Sequence, residues 1–361
     1  MVILSVSLDN LFSFTSFSLD LSYSRRVDSL LGEENLEDYP NFRYRKAVIL
    51  MGPNASGKTT LGKAIDAVFD MVTHKTVNKL IDGIKDKDKN AYATIYFVSK
   101  RGILSELEVT ISSENYLFDI SYKEEVIRIN DSFESCRKRL DKKEGTLTSL
   151  DKVQTLTGPI NVMFSQPGLK RTFELSGEEK EEYLTCLRAV ITALDPSFEN
   201  VELSQEMEDS YILRRKKRSI SITNGEIVNR DLLSSGTIKG IEIALFTALI
   251  SSSSGFFYVD ELFSYIETNI ERLMFSIMAN KLRPDSQLIF TTHNTDMLTL
   301  QLPKHSYIFL QRTEEENSSS IIPVYAEKYL RRATDSVRNA AMNNLFGTIP
   351  DETKLYGLTE E

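Results

Sequence analysis

Alternating apolar and polar residues at the start of the chain predict β-strands. Residues 2–8 and 12–22 alternate in this way, and the Asp9-Asn10 pair between them predicts a turn. The alternation returns between residues 91 and 129, where it predicts further strands that follow one another as an antiparallel meander. We expect the first two strands to form the antiparallel edge of a larger α/β lobe.

Continuous apolar runs elsewhere predict strands buried on both faces, as in a parallel sheet. Such runs occupy residues 47–51, 255–259 and 288–292, and each is followed by polar residues that could carry chemistry. Apolar residues recur at helical spacing in 178–194, and a long apolar helix is predicted over 238–250. The pattern as a whole predicts an α/β fold with a mixed sheet and flanking helices.

The order of these patterns divides the chain into three segments. Residues 1–90 are predicted to form the N-terminal half of the α/β lobe, and 223–361 its C-terminal half. Residues 91–222 are predicted to be an insertion that contains the β-meander and a helical subdomain, the latter within 131–200. Residues 24–44 are charged and lack a regular pattern.

A glycine-rich segment after the first buried run predicts a phosphate loop, residues 52–60. It contains the pattern G-x-x-x-x-G-K-[ST], and a helical pattern follows it. Glycines let successive backbone N–H groups face a phosphate, and the helix N-terminus adds positive potential. Lys58 is expected to contact the β- and γ-phosphates, and the Thr59 hydroxyl to hold Mg²⁺. The residues predicted to bind ATP here are Gly52, Asn54, Ala55, Ser56, Gly57, Lys58, Thr59 and Thr60.

An acidic pair follows the second buried run. Asp260 and Glu261 stand at the carboxyl end of the predicted strand, where parallel sheets bind their ligands. We expect Asp260 to bind Mg²⁺ through water and Glu261 to polarise the attacking water. The alternative is a solvated acidic pair at a strand end, and the order of the surrounding motifs favours the catalytic interpretation.

A histidine follows the third buried run. His293 is one of three histidines in the chain and lies 33 positions after Asp260. A lone histidine is more often structural than catalytic. Its place after the next strand of the sheet nevertheless favours a side chain that reaches the γ-phosphate.

A second candidate anion site lies far along the chain, in residues 233–237, Leu-Ser-Ser-Gly-Thr. This segment opens the helix predicted over 238–250, and a helix N-terminus attracts anions. The segment resembles the signature of ABC-type ATPases, Leu-Ser-Gly-Gly-Gln, with departures at Ser235 and Thr237. The resemblance implies that Ser234, Ser235 and the Gly236 N–H contact the γ-phosphate held by a partner protomer. A plain N-cap serine is the alternative.

Composition limits the remaining possibilities. The chain has 361 residues, 41% of them hydrophobic, and a net charge of −9, which argues against broad nonspecific coating of nucleic acid. Two cysteines suit a reducing cytoplasm, and no Cys/His cluster indicates a metal site beyond Mg²⁺. No apolar window is long enough to span a membrane, so we expect a soluble cytoplasmic protein without a membrane partner.

Two further features are weaker. The basic run 214–218 could bind nucleic acid or an acidic partner, although a solvated strand or loop is the favoured alternative because no aromatic residues interleave it. Gln166 is a candidate Q-loop glutamine that would join the helical subdomain to Mg²⁺. Nucleic acid binding is therefore left open.

In chain order, the hairpin, phosphate loop, meander, signature, acidic pair and histidine resemble the abortive-infection, OLD-like branch of ABC-type ATPases. The resemblance covers nearly the whole chain, and residues 324–350 look like the closing segment of that branch. The branch includes the ATPase subunits of PARIS anti-phage systems, which act beside a separate nuclease. It implies an ABC-type P-loop ATPase lobe that uses ATP and Mg²⁺ and assembles as a homo-oligomer, at least a dimer.

The resemblance also implies a role. A complete ATP site without a second catalytic centre suggests a sensor or scaffold that controls a separate toxic effector, such as a nuclease, in response to a phage-encoded trigger. The alternative is a RecF-like or SMC-like ATPase of DNA repair, in which ATP closes a dimer around duplex DNA with help from 214–218. A soluble subunit of a transporter is the third possibility.

Overall fold

The computed structural model describes residues 1–26, 31–165, 175–207, 210–216, 219–223, 226–315, 318–332 and 334–349. Within these residues the strands are β1 (Val2–Asp9), β2 (Phe17–Asp20), β3 (Asn35–Leu36), β4 (Tyr39–Arg43), β5 (Ala47–Met51), β6 (Ala91–Val98), β7 (Ile103–Ile111), β8 (Phe118–Val126), β9 (Thr146–Leu147), β10 (Val162–Ser165), β11 (Phe198–Leu203), β12 (Ser210–Arg215), β13 (Ser219–Thr223), β14 (Glu226–Ile227), β15 (Phe256–Asp260), β16 (Gln287–Thr291), β17 (Tyr307–Glu315) and β18 (Ser318–Tyr325).

Helices separate groups of these strands along the chain. The α-helices are α1 (Lys58–His74), α2 (Asn78–Asp82), α3 (Phe133–Leu140), α4 (Leu150–Thr157), α5 (Gly177–Leu194), α6 (Ser235–Ser252), α7 (Thr268–Lys281), α8 (Ala326–Tyr329) and α9 (Val337–Met342). Short 3₁₀ helices occupy Arg230–Leu232, Thr295–Thr299 and Lys304–Ser306. Among the described residues, no helix combines the length and apolar character that crossing a membrane requires.

The central sheet is mixed, as the sequence predicts. Its strand order is β10-β15-β16-β5-β17-β18, in which β10 to β17 run parallel and β18 pairs antiparallel with β17. All residues of β5, β15 and β16 are buried, which explains their continuous apolar sequences. The carboxyl ends of these three neighbouring strands therefore meet at one edge of the sheet.

A second sheet of six strands is antiparallel and contains the predicted hairpin and meander. Its order is β2-β1-β6-β7-β8-β9, and β1 pairs directly with β6. The first 90 residues and the meander after them therefore share one sheet. The proposed three-segment division remains a prediction about folding units.

Helix α1 packs between the two sheets. Phe69 of α1 contacts Phe97 of β6, with ring centroids 5.3 Å apart. On the other side, a Cβ at Gly62 would lie only 2.4 Å from Phe164 of β10 and 2.8 Å from Tyr258 of β15. The glycine thus lets α1 approach the central sheet closely, and this approach fixes the start of α1 beside the strand ends.

The opposite face of the central sheet is covered by helices. Alternate residues of β5 belong to different cores: Val48 packs with α1, whereas Ile49 packs with α5, α6 and α7. Helix α5 confirms the helical spacing in 178–194, and it also packs on a four-stranded antiparallel sheet, β11-β12-β13-β14. Strand β10, the start of β11 and the pair β3-β4 lie where the sequence pattern predicts helix or no regular structure, whereas β12 overlaps the run 214–218, for which a solvated strand or loop is the favoured interpretation.

Candidate functional site

The phosphate loop connects β5 to α1 through a tight backbone path. Gly57 has φ +96° and Ala55 has φ +62°, both in the left-handed region. A Cβ at Gly52 would lie 2.4 Å from Ser56 Oγ and 2.6 Å from the Leu310 carbonyl oxygen. Glycine is therefore required at Gly52 by close packing and is favoured at Gly57 by its dihedral angle.

Lys58 is folded back onto this loop. Its ammonium donates hydrogen bonds to the carbonyl oxygens of Gly52 at 2.8 Å and Pro53 at 3.2 Å. Burial lowers the pKa of Lys58 from its ordinary value, while the nearby carboxylates of Glu261 and Asp260 oppose this shift. The ammonium lies 3.7 Å from Glu261 Oε1, so it stands between the loop and the acidic pair.

One buried polar atom of the loop lacks a hydrogen-bond partner among the described residues. Ser56 is 1% exposed, and its Oγ has no hydrogen-bond partner among the described residues. A buried hydroxyl without a partner is costly. Asn54 and Ala55 form the exposed part of the loop, and Thr59 and Thr60 lie in the first turn of α1. An unpartnered hydroxyl, a glycine-dependent loop and a helix N-terminus together fit a bound phosphate chain.

Asp260 joins the phosphate loop to the strand ends. It is 1% exposed; Thr59 Oγ1 donates to its Oδ2 at 2.6 Å, and Thr291 Oγ1 donates to its Oδ1 at 2.7 Å. Burial raises the pKa of Asp260, and the two threonine hydrogen bonds oppose this rise. A hydroxyl and a carboxylate oxygen in contact are a donor set that suits Mg²⁺.

Glu261 and His293 form a second contact at the same edge. His293 Nε2 lies 2.6 Å from Glu261 Oε1, and both side chains are partly exposed. The backbone of Glu261 turns out of the strand at φ +45°, and its N–H donates to Thr291 Oγ1 at 3.0 Å. The hydrogen bond to His293 is the largest cause that holds the pKa of Glu261 below its ordinary value.

The structure adds residues that the sequence analysis did not single out. Tyr258 donates its hydroxyl to the Lys58 carbonyl oxygen at 2.5 Å and so ties β15 to the start of α1. A cavity of about 220 Å³ opens beside Glu261 and His293, and Glu271 of α7 forms part of its wall. An acidic residue on the buried face of α7, in register with Met274, Phe275 and Met278, is the sequence signal that could have identified Glu271.

The signature segment lies at the N-terminus of α6. Ser234 is the N-cap of the helix: its Oγ accepts the Thr237 N–H at 3.1 Å and contacts the Thr237 hydroxyl at 2.7 Å. Ser234 and Ser235 are exposed, and a Cβ at Gly236 would lie 3.4 Å from the Tyr265 carbonyl oxygen. In the described part of the chain, no hydrogen bond or ion pair links residues 234–236 to the phosphate loop.

The two weaker sequence features have different outcomes. Arg214 pairs with Glu202 at 2.5 Å, and Arg215 pairs with Asp195 at 2.7 Å while stacking over Phe198. Much of the positive charge at the start of the run 214–218 is thus neutralised within the fold, and positions 217 and 218 lie outside the described residues. Gln166 also lies outside them.

Among the described residues, no group of three or more His, Cys, Asp or Glu side chains is arranged to hold a metal ion. The metal-binding role predicted for Thr59 and Asp260 therefore rests on a hydroxyl and a single carboxylate. Such a pair suits a cation that keeps several of its waters and is also held by phosphate oxygens.

Comparisons with known proteins agree with this architecture. Residues 170–298 match a family model described as "AAA domain, putative AbiEii toxin, Type IV TA system". No curated protein matches the chain. The family match covers less than half of the chain, and it spans the signature segment, the acidic pair and His293.

Solved structures resemble the chain over nearly its whole length. An SMC head bound to the C-terminal winged-helix domain of ScpA has a TM-score of 0.56 and 13% identity, covering 91% of this chain and 100% of that chain. An SMC head with an extended coiled coil from Pyrococcus furiosus, bound to the C-terminal domain of ScpA, has a TM-score of 0.56 and 12% identity, covering 96% of this chain and 98% of that chain. An SMC head with a coiled coil and joint from Pyrococcus yayanosii has a TM-score of 0.51 and 10% identity, covering 94% of this chain and 99% of that chain. The chain has the fold of an ABC-type ATPase head.

Proposed function

We propose that this chain is an ATPase that binds ATP with Mg²⁺ and hydrolyses it in a site completed by a second copy of itself. The observation that carries the proposal is the convergence of five side chains at one sheet edge. Lys58 and Thr59 follow β5, Asp260 and Glu261 stand at the end of β15, and His293 follows β16. Direct contacts join these residues into one group.

Different residues of the site would bind the phosphate chain and Mg²⁺. The backbone N–H groups of the phosphate loop and the Ser56 hydroxyl would donate hydrogen bonds to the phosphate oxygens, and Lys58 would exchange its carbonyl partners for phosphate oxygens. Thr59 and Asp260 would hold Mg²⁺, which neutralises phosphate charge during the transfer. Because Lys58 is already desolvated and beside the loop, its charge would act at close range.

Glu261 and His293 would perform the chemical work. A carboxylate with a lowered pKa is ionised at neutral pH and can orient the attacking water and accept its proton. His293, partly exposed and in contact with Glu261, would orient that carboxylate and approach the terminal phosphate. The pair therefore supports hydrolysis rather than binding alone.

A second protomer would complete the site. The exposed serines and the helix N-terminus at residues 234–236 suit an anion, and no hydrogen bond or ion pair of the described residues links them to the phosphate loop. A homodimer with twofold symmetry would bring each signature segment to the other protomer's loop. This arrangement also supports ATP-dependent association of the two copies.

The biological role proposed for this ATPase is control of a separate toxic effector in anti-phage defence. The family description names a putative toxin of a type IV toxin–antitoxin system, which supports a role that involves a toxic protein. The motif order resembles ATPase subunits such as those of PARIS systems. The nucleotide state of the dimer would determine whether the effector, such as a nuclease, is held or released after a phage trigger arrives.

The DNA-repair alternative receives less support from the side chains. Its main prediction was a basic surface at 214–218, and both arginines at the start of that run are paired with acids. A clamp on duplex DNA needs several free cations to contact phosphates.

One experiment tests both the activity and the role. ATP hydrolysis is measured on the purified chain, and Glu261→Gln is then affinity-purified with ATP and Mg²⁺ from cells that carry its neighbouring genes. We expect hydrolysis by the wild type, and a stoichiometric neighbour-encoded protein without DNA on the variant. DNA that resists nuclease only in the presence of ATP would contradict the effector role.

A further inference from the structure

Glu271 is a buried carboxylate that contacts both neighbours of His293. It is 4% exposed and lies in the first turn of α7. Thr292 Oγ1 donates to Glu271 Oε1 at 2.7 Å, and Asn294 Nδ2 donates to Glu271 Oε2 at 2.7 Å. One side chain of α7 thus binds the residues immediately before and after the histidine.

Further hydrogen bonds fix the orientation of Thr292 and Asn294. The Asn294 N–H donates to Thr292 Oγ1 at 3.0 Å, and Asn294 Nδ2 also donates to Thr268 Oγ1 at 3.2 Å. The Asp296 N–H donates to Asn294 Oδ1 at 3.0 Å, which identifies the asparagine oxygen and nitrogen. Each donor and acceptor around Glu271 therefore has one assigned role, and rotation of either side chain would break at least two hydrogen bonds.

Packing alone does not account for an acid at this position. Glu271 shares the buried face of α7 with Met274, Phe275 and Met278, where an apolar side chain would avoid the cost of burying a carboxylate. Burial raises the pKa of Glu271, and the hydrogen bonds from Asn294 and Thr292 oppose that rise. Among the described residues, the hydrogen bonds that offset the cost of burying this carboxylate come from Thr292 and Asn294, the two neighbours of His293.

The place of α7 gives the contact a second consequence. The segment 262–267 leads from Glu261 to α7, and within it the Tyr265 carbonyl oxygen lies against Gly236 of the signature segment. Tyr265 itself is 81% exposed, with φ +73°. Glu271 therefore connects α7, which follows segment 262–267, to the loop that carries His293.

We propose that Glu271 is a positioning residue for ATP hydrolysis. Through Thr292 and Asn294 it holds the backbone at His293 so that the imidazole stays directed at Glu261. This inference rests on the proposed ATPase function. Glu271 itself contacts neither Lys58 nor Thr59 in the hydrogen bonds and ion pairs of the described residues, so its loss leaves the binding half of the site intact.

The first test uses an exchange of donor and acceptor. Glu271→Gln replaces one of the two acceptor oxygens by an NH2 group, so either the hydrogen bond from Asn294 Nδ2 or the one from Thr292 Oγ1 is lost in its present direction. Asn294→Asp places two carboxylates in contact. Both single variants should lower kcat about 10- to 100-fold with KM for ATP within about twofold. The double variant restores one donor facing one acceptor. We expect its kcat to exceed that of either single variant, and a double variant no better than the worse single would overturn the inference.

The second test does not depend on hydrolysis. The chain has three histidines, so ¹³C-labelled histidine gives a spectrum of three imidazoles, in which exposed His74 serves as internal control. Glu271→Gln should shift the His293 signal and leave that of His74 in place, and the double variant should return it toward the wild-type position. Loss of one signal in His293→Gln assigns that signal to His293.

The two proposals fail in different ways. If the wild-type chain hydrolyses no ATP, the proposed ATPase function is refuted. The His293 signal still shows whether Glu271 positions the imidazole. Unchanged kcat and an unchanged His293 signal in Glu271→Gln refute the positioning role alone. If Glu271→Gln does not fold, Thr292→Val keeps the side-chain shape but removes the hydrogen bond to Glu271 and the one from the Asn294 N–H, and the same shift and fall in kcat are expected.

Discussion

The imidazole of His293 and the carboxylate of Glu261 are in direct contact, with Nε2 2.6 Å from Oε1. The two residues come from the ends of β15 and β16, adjacent parallel strands whose register pairs Asp260 with Thr291. The pair therefore forms only when these strands are correctly aligned. Its geometry makes the protonation state of Glu261 depend on His293.

This dependence predicts a change in the pH profile of hydrolysis. The His293 hydrogen bond lowers the pKa of Glu261 below its ordinary 4.5, so the carboxylate stays ionised to lower pH in the wild type. His293→Gln removes the imidazole that holds the Glu261 pKa down, so this pKa should rise and the acid limb of kcat should move to higher pH. The profile is measured with saturating Mg²⁺ and ATP. An acid limb that stays in place would contradict the proposed coupling.

Lys58 is predicted to provide binding energy for the phosphates. Lys58→Ala should weaken ATP binding about 10- to 100-fold, because charged hydrogen bonds contribute about 1.5–3 kcal/mol. Lys63→Ala is the matched control, since Lys63 is an exposed lysine on the same helix. Titration with a fluorescent ATP analogue measures both. Equal affinities for the two variants would show that Lys58 does not face the nucleotide.

Asp260 is predicted to lower the stability of the nucleotide-free protein. Its folded pKa lies above the ordinary 3.8, so the folded state holds the proton more tightly, and ionisation costs stability as pH rises through that raised pKa. Asp260→Asn should raise Tm by about 2 °C at pH 7, and the gain should shrink as pH falls. Thermal unfolding between pH 4.5 and 7.5 checks this.

The same Asp260→Asn variant should lose the stabilisation that Mg²⁺ and ATP give to the wild type. Asparagine keeps hydrogen bonds to Thr59 and Thr291 but removes the charge that the cation needs. A variant that is less stable without ligand, yet responds normally to Mg²⁺ and ATP, would contradict both parts of the prediction.

Gly62 is predicted to be essential for the close packing of α1. A Cβ there would meet Phe164 at 2.4 Å and Tyr258 at 2.8 Å, so Gly62→Ala should destabilise the fold by about 1–3 kcal/mol. Gly177→Ala is the control: it adds the same methyl group at the exposed first residue of α5, where nothing lies within 4 Å, and should stabilise by about 0.4–1 kcal/mol. Denaturant unfolding distinguishes them. A neutral Gly62→Ala would mean that the two rings move aside freely.

Local sequence patterns identified the segments that meet at the carboxyl edge of the central sheet. The phosphate loop is recognisable because its glycines and lysine act within a few residues, and the runs before Asp260 and His293 are long and apolar enough to indicate buried strands. The confirmed mixed sheet follows from those runs. Strand β10 escaped prediction because a strand of four residues, three of them apolar, is too short to show a period.

Long-range contacts could not be predicted in the same way. The pairing of β1 with β6 joins segments more than 80 residues apart, and no local pattern encodes that choice of partner. The ion pairs of Arg214 and Arg215 could not be predicted either, because their partners, Glu202 and Asp195, lie on other elements. Glu271 was missed for the same reason, since its partners follow a different strand.

The central claim is that each ATP site is shared between two protomers, and a mixing experiment tests it most directly. Lys58→Ala removes the phosphate-loop half and Ser234→Arg blocks the signature half, so each variant alone should be inactive. In an equal mixture, half of the dimers combine one of each and contain one intact site of two, which predicts about a quarter of wild-type ATP hydrolysis. A mixture that stays inactive although mixed dimers form, or full activity of Ser234→Arg alone, would contradict the shared site.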